Sequence, residues 1–294
     1  MKCAAIARCL ILSVLTGCGG RAQPTQPQDV TVETAVRIGN LAYSWDRPTE
    51  AATQYQQAFK RAQAGDDAGA IGDYGYDLAV AQLAANQPKT ALATARLTRG
   101  ELARRGRAPF PALTLVEATA LYRLGAREQA NNMAAYVEAG YDREAAAQAS
   151  FLRGLIADEV GNRAGLEAAL ERLAHPTSSE QRADFLELSA RRDLRDGKLK
   201  AAVGQADGAA DLRRAELDYR GMARALALEG AAAARDGETG AAANLYIRAA
   251  QSAAARGDAQ TARPWVHRAL ALANSPDQRR LARQTLAGLA SVPQ

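Results

Sequence analysis

Thiols, imidazoles and clustered carboxylates are the side chains from which most catalytic and metal sites are built, and this chain of 294 residues holds few of the first two. Its three cysteines, Cys3, Cys9 and Cys18, all lie within the first eighteen residues. The remainder of the sequence therefore supports no disulfide, no thiolate metal site and no Cys–His nucleophile pair. Cys18 sits in the stretch "VLTGCGG". The two histidines, His175 and His267, are far apart in sequence. The first precedes Pro176 in an expected loop and the second lies on an amphipathic helical pattern. Metalloprotease, serine-hydrolase and phosphate-loop signatures are all missing.

Three other stretches invite a chemical reading. Gly65 to Asp77 reads "GDDAGAIGDYGYD", rich in glycine and acid. A calcium loop needs acids on alternate positions and a closing glutamate, and a dinucleotide loop needs a preceding strand. The stretch meets neither condition and is expected to be a connection with aspartate caps. Arg99 to Arg107 is basic but falls at an expected helix end, where cations complement the exposed carbonyls. Asp158 and Glu159 are adjacent, so on a helix they point to different faces and cannot form an acid–base pair. No catalytic residue, metal site or cofactor is expected.

The residues that could be modified need an address. Met1 to Arg8 carries two positive charges, Cys9 to Leu15 is a seven-residue apolar run, and small residues follow at Gly17 and Gly19. That is the layout of an export signal, too short for a permanent membrane span. Leu15-Thr16-Gly17-Cys18 resembles a bacterial lipobox. The resemblance implies a signal peptide over residues 1–17, cleavage before Cys18, and acyl chains (palmitate among them) on that residue. Two or more chains hold a protein stably on a membrane. Gly19 after the cysteine resembles the sorting pattern of the outer membrane, so the expected location is that membrane, with the body in the periplasm. Residues 18–30, "CGGRAQPTQPQDV", have no large apolar side chain before Val30 and read as a tether; its twelve residues beyond Cys18 reach roughly 20–35 Å.

Beyond the tether the composition is 48% apolar but only 5% aromatic, so packing must rest on Ala and Leu. The formal charge is +5, too weak a bias to argue for nucleic acid. Turn residues recur at Asp46, Asn86, Gly125, Gly161, Gly197 and Gly237, spaced 40, 39, 36, 36 and 40 residues apart. Apolar positions such as Leu113, Val116, Ala120 and Leu124 follow a helical period, and strand alternation is lacking. Ser178 with Gln181 reads as a capping box, and Pro276 opens a last helix.

Gly39, Ala42, Tyr43, Ala51, Tyr55, Ala58 and Phe59 in the first unit, and Gly230, Ala233, Ala242, Tyr246 and Ala249 in the sixth, resemble the small-and-aromatic pattern of the tetratricopeptide repeat. The resemblance implies an all-α, right-handed α-solenoid: about six degenerate repeats over 31–257 and a capping helical pair over 258–290. Such arrays bind partner segments in a concave groove. Carried over by position, the groove residues are Asn40, Tyr43, Ser44, Tyr76, Leu83, Tyr122, Arg123, Arg191, Arg195 and Arg235. Tyr and Arg are favoured at interface hot spots, and together they suit an extended or helical segment with acidic groups. The expected role is a membrane-anchored scaffold or adaptor in assembly of a bacterial envelope machine (pilus, secretion or outer-membrane assembly). Two alternatives stay open: a scaffold for polysaccharide export, and a peptidoglycan-active enzyme or its regulator. The partners expected are envelope proteins and the membrane, not nucleic acid; the oligomeric state is left open.

Overall fold

The computed structural model describes residues 30–290; Cys18, the signal and nearly all of the tether lie outside them. Fourteen helices, and no strand, are found among the described residues. They follow one another as hairpins: α1 (Val30–Ser44) with α2 (Pro48–Ala64), α3 (Ala68–Ala84) with α4 (Pro88–Arg104), α5 (Pro111–Arg123) with α6 (Arg127–Glu138), and α7 (Arg143–Glu159) with α8 (Arg163–Arg172). Then come α9 (Ser179–Arg195) with α10 (Leu199–Ala215), α11 (Tyr219–Arg235) with α12 (Thr239–Ala254), and α13 (Ala259–Leu272) with α14 (Pro276–Ala290). Each helix packs on the next in sequence, and the first helices of neighbouring hairpins, α3, α5, α7, α9 and α11, also touch in series. The result is an all-α solenoid.

The turns explain the spacing. Asp46, Asn86, Gly125, Gly161, Gly197 and Gly237 all have positive φ, between 57° and 89°. After each, a backbone N–H reaches back five residues, as from Arg47 to the Ala42 carbonyl and from Glu238 to the Ala233 carbonyl. This closure satisfies carbonyls at the helix end and reverses the chain at once. Helices of 17 residues on both sides of a turn-to-turn interval, α2 with α3 or α10 with α11, give the 40-residue spacing. The 36-residue intervals contain α6 with 12 residues and α8 with 10.

Starts are equally local. Asp67, Asp142, Asn162, Ser178, Asp218 and Asp258 accept hydrogen bonds from N–H groups of the helices they precede, and Pro48, Pro88, Pro111 and Pro276 occupy first positions. Gln181 donates its N–H to Ser178, but its own side chain accepts from Thr177 rather than from Ser178. Gln278 repeats this arrangement with Ser275 and Asn274. The stretch from Gly65 to Asp77 differs from expectation. Only Gly65–Asp67 form the turn, capped by Asp67 as anticipated, and the rest is the first part of α3. Its glycines serve packing: a Cβ on Gly75 would stand 2.2 Å from Thr98 Oγ1 and 2.9 Å from Phe59. Leu83, read as a groove residue, is buried in the core with Leu102 and Leu113.

The core is built from alanines in contact, with single large residues between layers: Phe59, Ile71, Leu78, Leu113, Leu188, Leu226 and Ile247 are fully buried. Curvature accumulates until the two ends of the array meet. Arg256 pairs with Asp46 across 210 residues, and Asn86 Nδ2 donates to the Gly257 carbonyl at 3.4 Å. The Arg256 guanidinium also stacks 4.1 Å from the Tyr219 ring. The described residues thus form a nearly closed turn around a central hollow.

Close approach of helices is testable at Gly154, where a Cβ would lie 2.4 Å from Leu188 Cδ1. Gly154→Ala is expected to destabilise by about 1–3 kcal/mol, as overpacked cores do. In a Leu188→Ala background, urea denaturation should show that cost largely gone; an unchanged cost would mean the contact does not set the spacing.

Candidate functional site

The hollow is lined by the first helices of successive hairpins, and its chemistry starts from one carboxylate. Glu187 of α9 is 0% exposed. Its Oε1 accepts from Arg224 Nε at 2.5 Å and Arg191 Nη2 at 3.0 Å, and its Oε2 from Arg224 Nη2 at 2.9 Å. Arg213 stands 3.6 Å away. Burial alone would raise the Glu187 pKa, but Arg224, Arg191 and Arg213 overcome it and hold the group down at about 2. Arg213 in turn binds Asp184 and, at 2.9 Å, Asp218. The Arg213 and Arg224 guanidinium groups both lie over Phe151, 5.2 and 5.4 Å from the ring centre.

Around this centre the carboxylates are shared out. Asp158 takes Arg191 at 2.9 Å and also Arg195. Its neighbour Glu159 faces the other way, accepting from Tyr122 Oη at 2.5 Å and Arg127 Nε at 2.6 Å. Burial and then Glu159 push the Tyr122 hydroxyl upward. Arg220 pairs with Asp258 at 2.6 Å. Arg123 differs: its one hydrogen bond goes to the Leu83 carbonyl, at 2.5 Å. Burial, then Arg220 and Arg224, lower it to about 9. Tyr122, Arg123, Arg191, Arg220, Arg224 and Trp265 line a cavity of about 680 Å³. A second hollow of about 550 Å³, lined by Tyr43, Arg123, Tyr219, Arg220 and Arg256, adjoins it through shared arginines.

The structure therefore brings together Tyr43, Tyr122, Arg123 and Arg191 of the expected groove residues. Ser44 and Leu83 border the second hollow as well, and Asn40, Tyr76, Arg195 and Arg235 lie elsewhere. Asn40 accepts from Tyr55 Oη at 2.7 Å and lines a separate depression with Arg37, Ser44 and Tyr74 at the first helix. Tyr76 packs edge-on against Phe110, with ring centres 5.6 Å apart. Arg195 and Arg235 donate to the carbonyls of Asp158 and Leu194, near the ends of α7 and α9. Arg123 does the same to α3, so these arginines complement the exposed carbonyls of the preceding unit. Arg220, Arg224, Arg256 and Trp265 were missed; the four-residue spacing of Arg220 and Arg224 on one helix face was the available signal. In the basic stretch, Arg99 binds Glu117 at 3.0 Å and Arg105 binds Glu101 and Asp66. His175 and His267 are exposed, and neither lines either hollow.

Among the described residues no group of three His, Cys, Asp or Glu side chains is placed to hold a metal ion, and no helix is long and apolar enough to cross a membrane.

No family model and no curated protein sequence matches this chain. Solved structures do resemble it. A tetratricopeptide repeat protein from Parabacteroides merdae ATCC 43184 is 15% identical, covers 89% of this chain and 99% of its own, and superposes with a TM-score of 0.47. The APC/C hetero-tetramer Cut9–Hcn1 gives 13% identity over 87% of this chain and 52% of that one, TM-score 0.50. The TPR2AB-domain–pHSP90 complex of yeast Sti1 gives 18% identity over 88% and 98%, TM-score 0.34. What this chain shares with the Cut9–Hcn1 structure is the fold, an all-α solenoid of helical hairpins.

Two pH effects follow. The folded pKa of Glu187, about 2, lies below its ordinary 4.5, so its stabilisation is present above 4.5 and lost as pH falls toward 2. Glu187→Gln should cost about 3–5 kcal/mol near neutral pH, since it strands buried arginines. Asp77 behaves oppositely: burial and then Asp73 raise it from 3.8 to about 6, so it subtracts stability as pH rises through that window. Asp77→Asn should therefore gain on the wild type in thermal melts between pH 4 and 7; a constant difference would refute the assignment.

Proposed function

We propose that this protein is a lipid-anchored scaffold of the bacterial envelope, tethered to the outer membrane through acylated Cys18, with its solenoid in the periplasm. The solenoid holds a segment of a partner protein in the central hollow, and so assembles an envelope machine such as a pilus, a secretion system or the outer-membrane assembly apparatus. The observation that carries the reading is the hollow itself: helices from successive hairpins turn tyrosines and arginines inward around it. Those residue types bury contact area at modest entropic cost and dominate binding energies at interfaces. The export signal, the lipobox-like motif and the tether support the location. A glycan-binding groove receives less support, because the most exposed aromatics, Tyr141 at 91% and Tyr136 at 76%, do not line the hollow.

The test is photo-crosslinking in cells with the reactive residue at Tyr43, which lines the hollow, or at Tyr141, which does not. One envelope partner captured in stoichiometric yield from position 43 only, and lost with Cys18→Ala, is the expected result. Equal capture from both positions, or none from 43, would sink the reading.

A further inference from the structure

We propose that the cavity bounded by Arg123, Arg191, Arg220 and Arg224 is a specific binding site for a single oxyanion group, supplied by an acidic side chain of a bound segment or by a free small anion. This deepens the scaffold reading and rests on the same hollow. The argument is one of unspent donors. Every carboxylate bordering or backing the cavity is already engaged: Glu187 by Arg224 and Arg191, Asp158 by Arg191 and Arg195, Asp258 by Arg220, Glu159 by Arg127 and Tyr122. Arg123 is left with no carboxylate among the described residues. A guanidinium carries five N–H groups in a planar fork, and this one uses a single Nη1 on the Leu83 carbonyl.

Three more arginines, Arg191, Arg220 and Arg224, line the same cavity. Arg220 and Arg224 repel Arg123, and an oxyanion on its spare N–H groups would offset that repulsion. Charge-assisted bonds from arginine forks suit carboxylate and phosphate alike. The two acids in the cavity wall, Glu159 and Asp258, are already paired with Arg127 and Arg220. At about 680 Å³ the space takes a small polyanion or a few residues of extended chain.

The experiment uses the full chain in detergent carrying Trp45→Phe, so that Trp265, in the cavity wall, is the sole indole. The probes are inorganic phosphate, an N-acetylated triglutamate amide and its triglutamine counterpart, all at matched ionic strength with chloride. Saturable Trp265 quenching and a raised melting temperature with phosphate or triglutamate, and not with triglutamine or chloride, are expected. Phosphate alone acting would assign the site to a free anion, triglutamate alone to a segment-borne carboxylate. Arg123→Gln should weaken binding about tenfold or more, the scale of one charge-assisted pair, without lowering the melting temperature of the unliganded protein. Arg123→Lys keeps the charge but loses the fork, and should fall between. A response that these variants leave intact, or that chloride reproduces, would overturn the site. No response together with intact crosslinking from position 43 would overturn it while the scaffold reading stands.

Discussion

One carboxylate without access to water organises the middle of this molecule. Glu187 cannot be buried alone, since an isolated ion in the interior costs several kcal/mol. It therefore draws Arg191 from its own helix, Arg213 from α10 and Arg224 from α11. Arg191 reaches onward to Asp158 of α7. Four helices from three hairpins are thus held in one register by a network that tolerates little slippage. A cluster of this kind contributes modestly to net stability compared with well-packed apolar residues, but it penalises every arrangement in which a partner is lost. Specificity of register is what an array of nearly interchangeable alanine surfaces otherwise lacks. Gly154 and the alanines around it let the helices come close enough for the arginines to reach.

The arginines at the ends of first helices extend the same logic along the chain. Arg123, Arg195 and Arg235 donate to the Leu83, Asp158 and Leu194 carbonyls of the preceding unit. Each adds a second donor to a carbonyl that already accepts the N–H of Asn86, Gly161 or Gly197 in the turn, and places positive charge at the negative end of a dipole. Of the three, only Arg123 borders the hollow. Asp77, Glu180 and Asp184 lie within their helices, and burial acts to raise all three.

How much of this could be read from the sequence depends on the range of the interaction concerned. Turns were readable, because a left-handed residue such as Gly197 or Asn86 is a local chemical requirement. Caps were readable for the same reason, although the return arm of Gln181 went to Thr177. Glycines misled where they serve packing: Gly72 and Gly75 look like loop residues, yet they lie inside α3 against Leu102, Thr98 and Phe59. Position within a repeat put Tyr43, Tyr122, Arg123 and Arg191 on the two adjoining hollows. It could not separate them from Arg195 and Arg235, since the carbonyls that occupy those two belong to the preceding unit. Arg256 was invisible for a stronger reason: its partner Asp46 is 210 residues away.

That last contact bears on what the hollow is. In a linear solenoid each unit senses only its neighbours, and a groove is open along its length. Here the small rotations per hairpin add up until Asp46 and Asn86 meet Arg256 and Gly257, so the two ends of the array become neighbours too. Closure turns a groove into a bounded cavity and brings Arg220 of α11 within range of Arg123 of α5. Folding does not require that juxtaposition. It sets like charges against one another, and among the described residues no carboxylate is hydrogen-bonded to Arg123, although Asp258 and Asp218 act on it from a distance. A guanidinium that the fold leaves without a carboxylate partner among the described residues, in a cavity lined by three more arginines, is more economically explained by what binds there than by what holds the chain together.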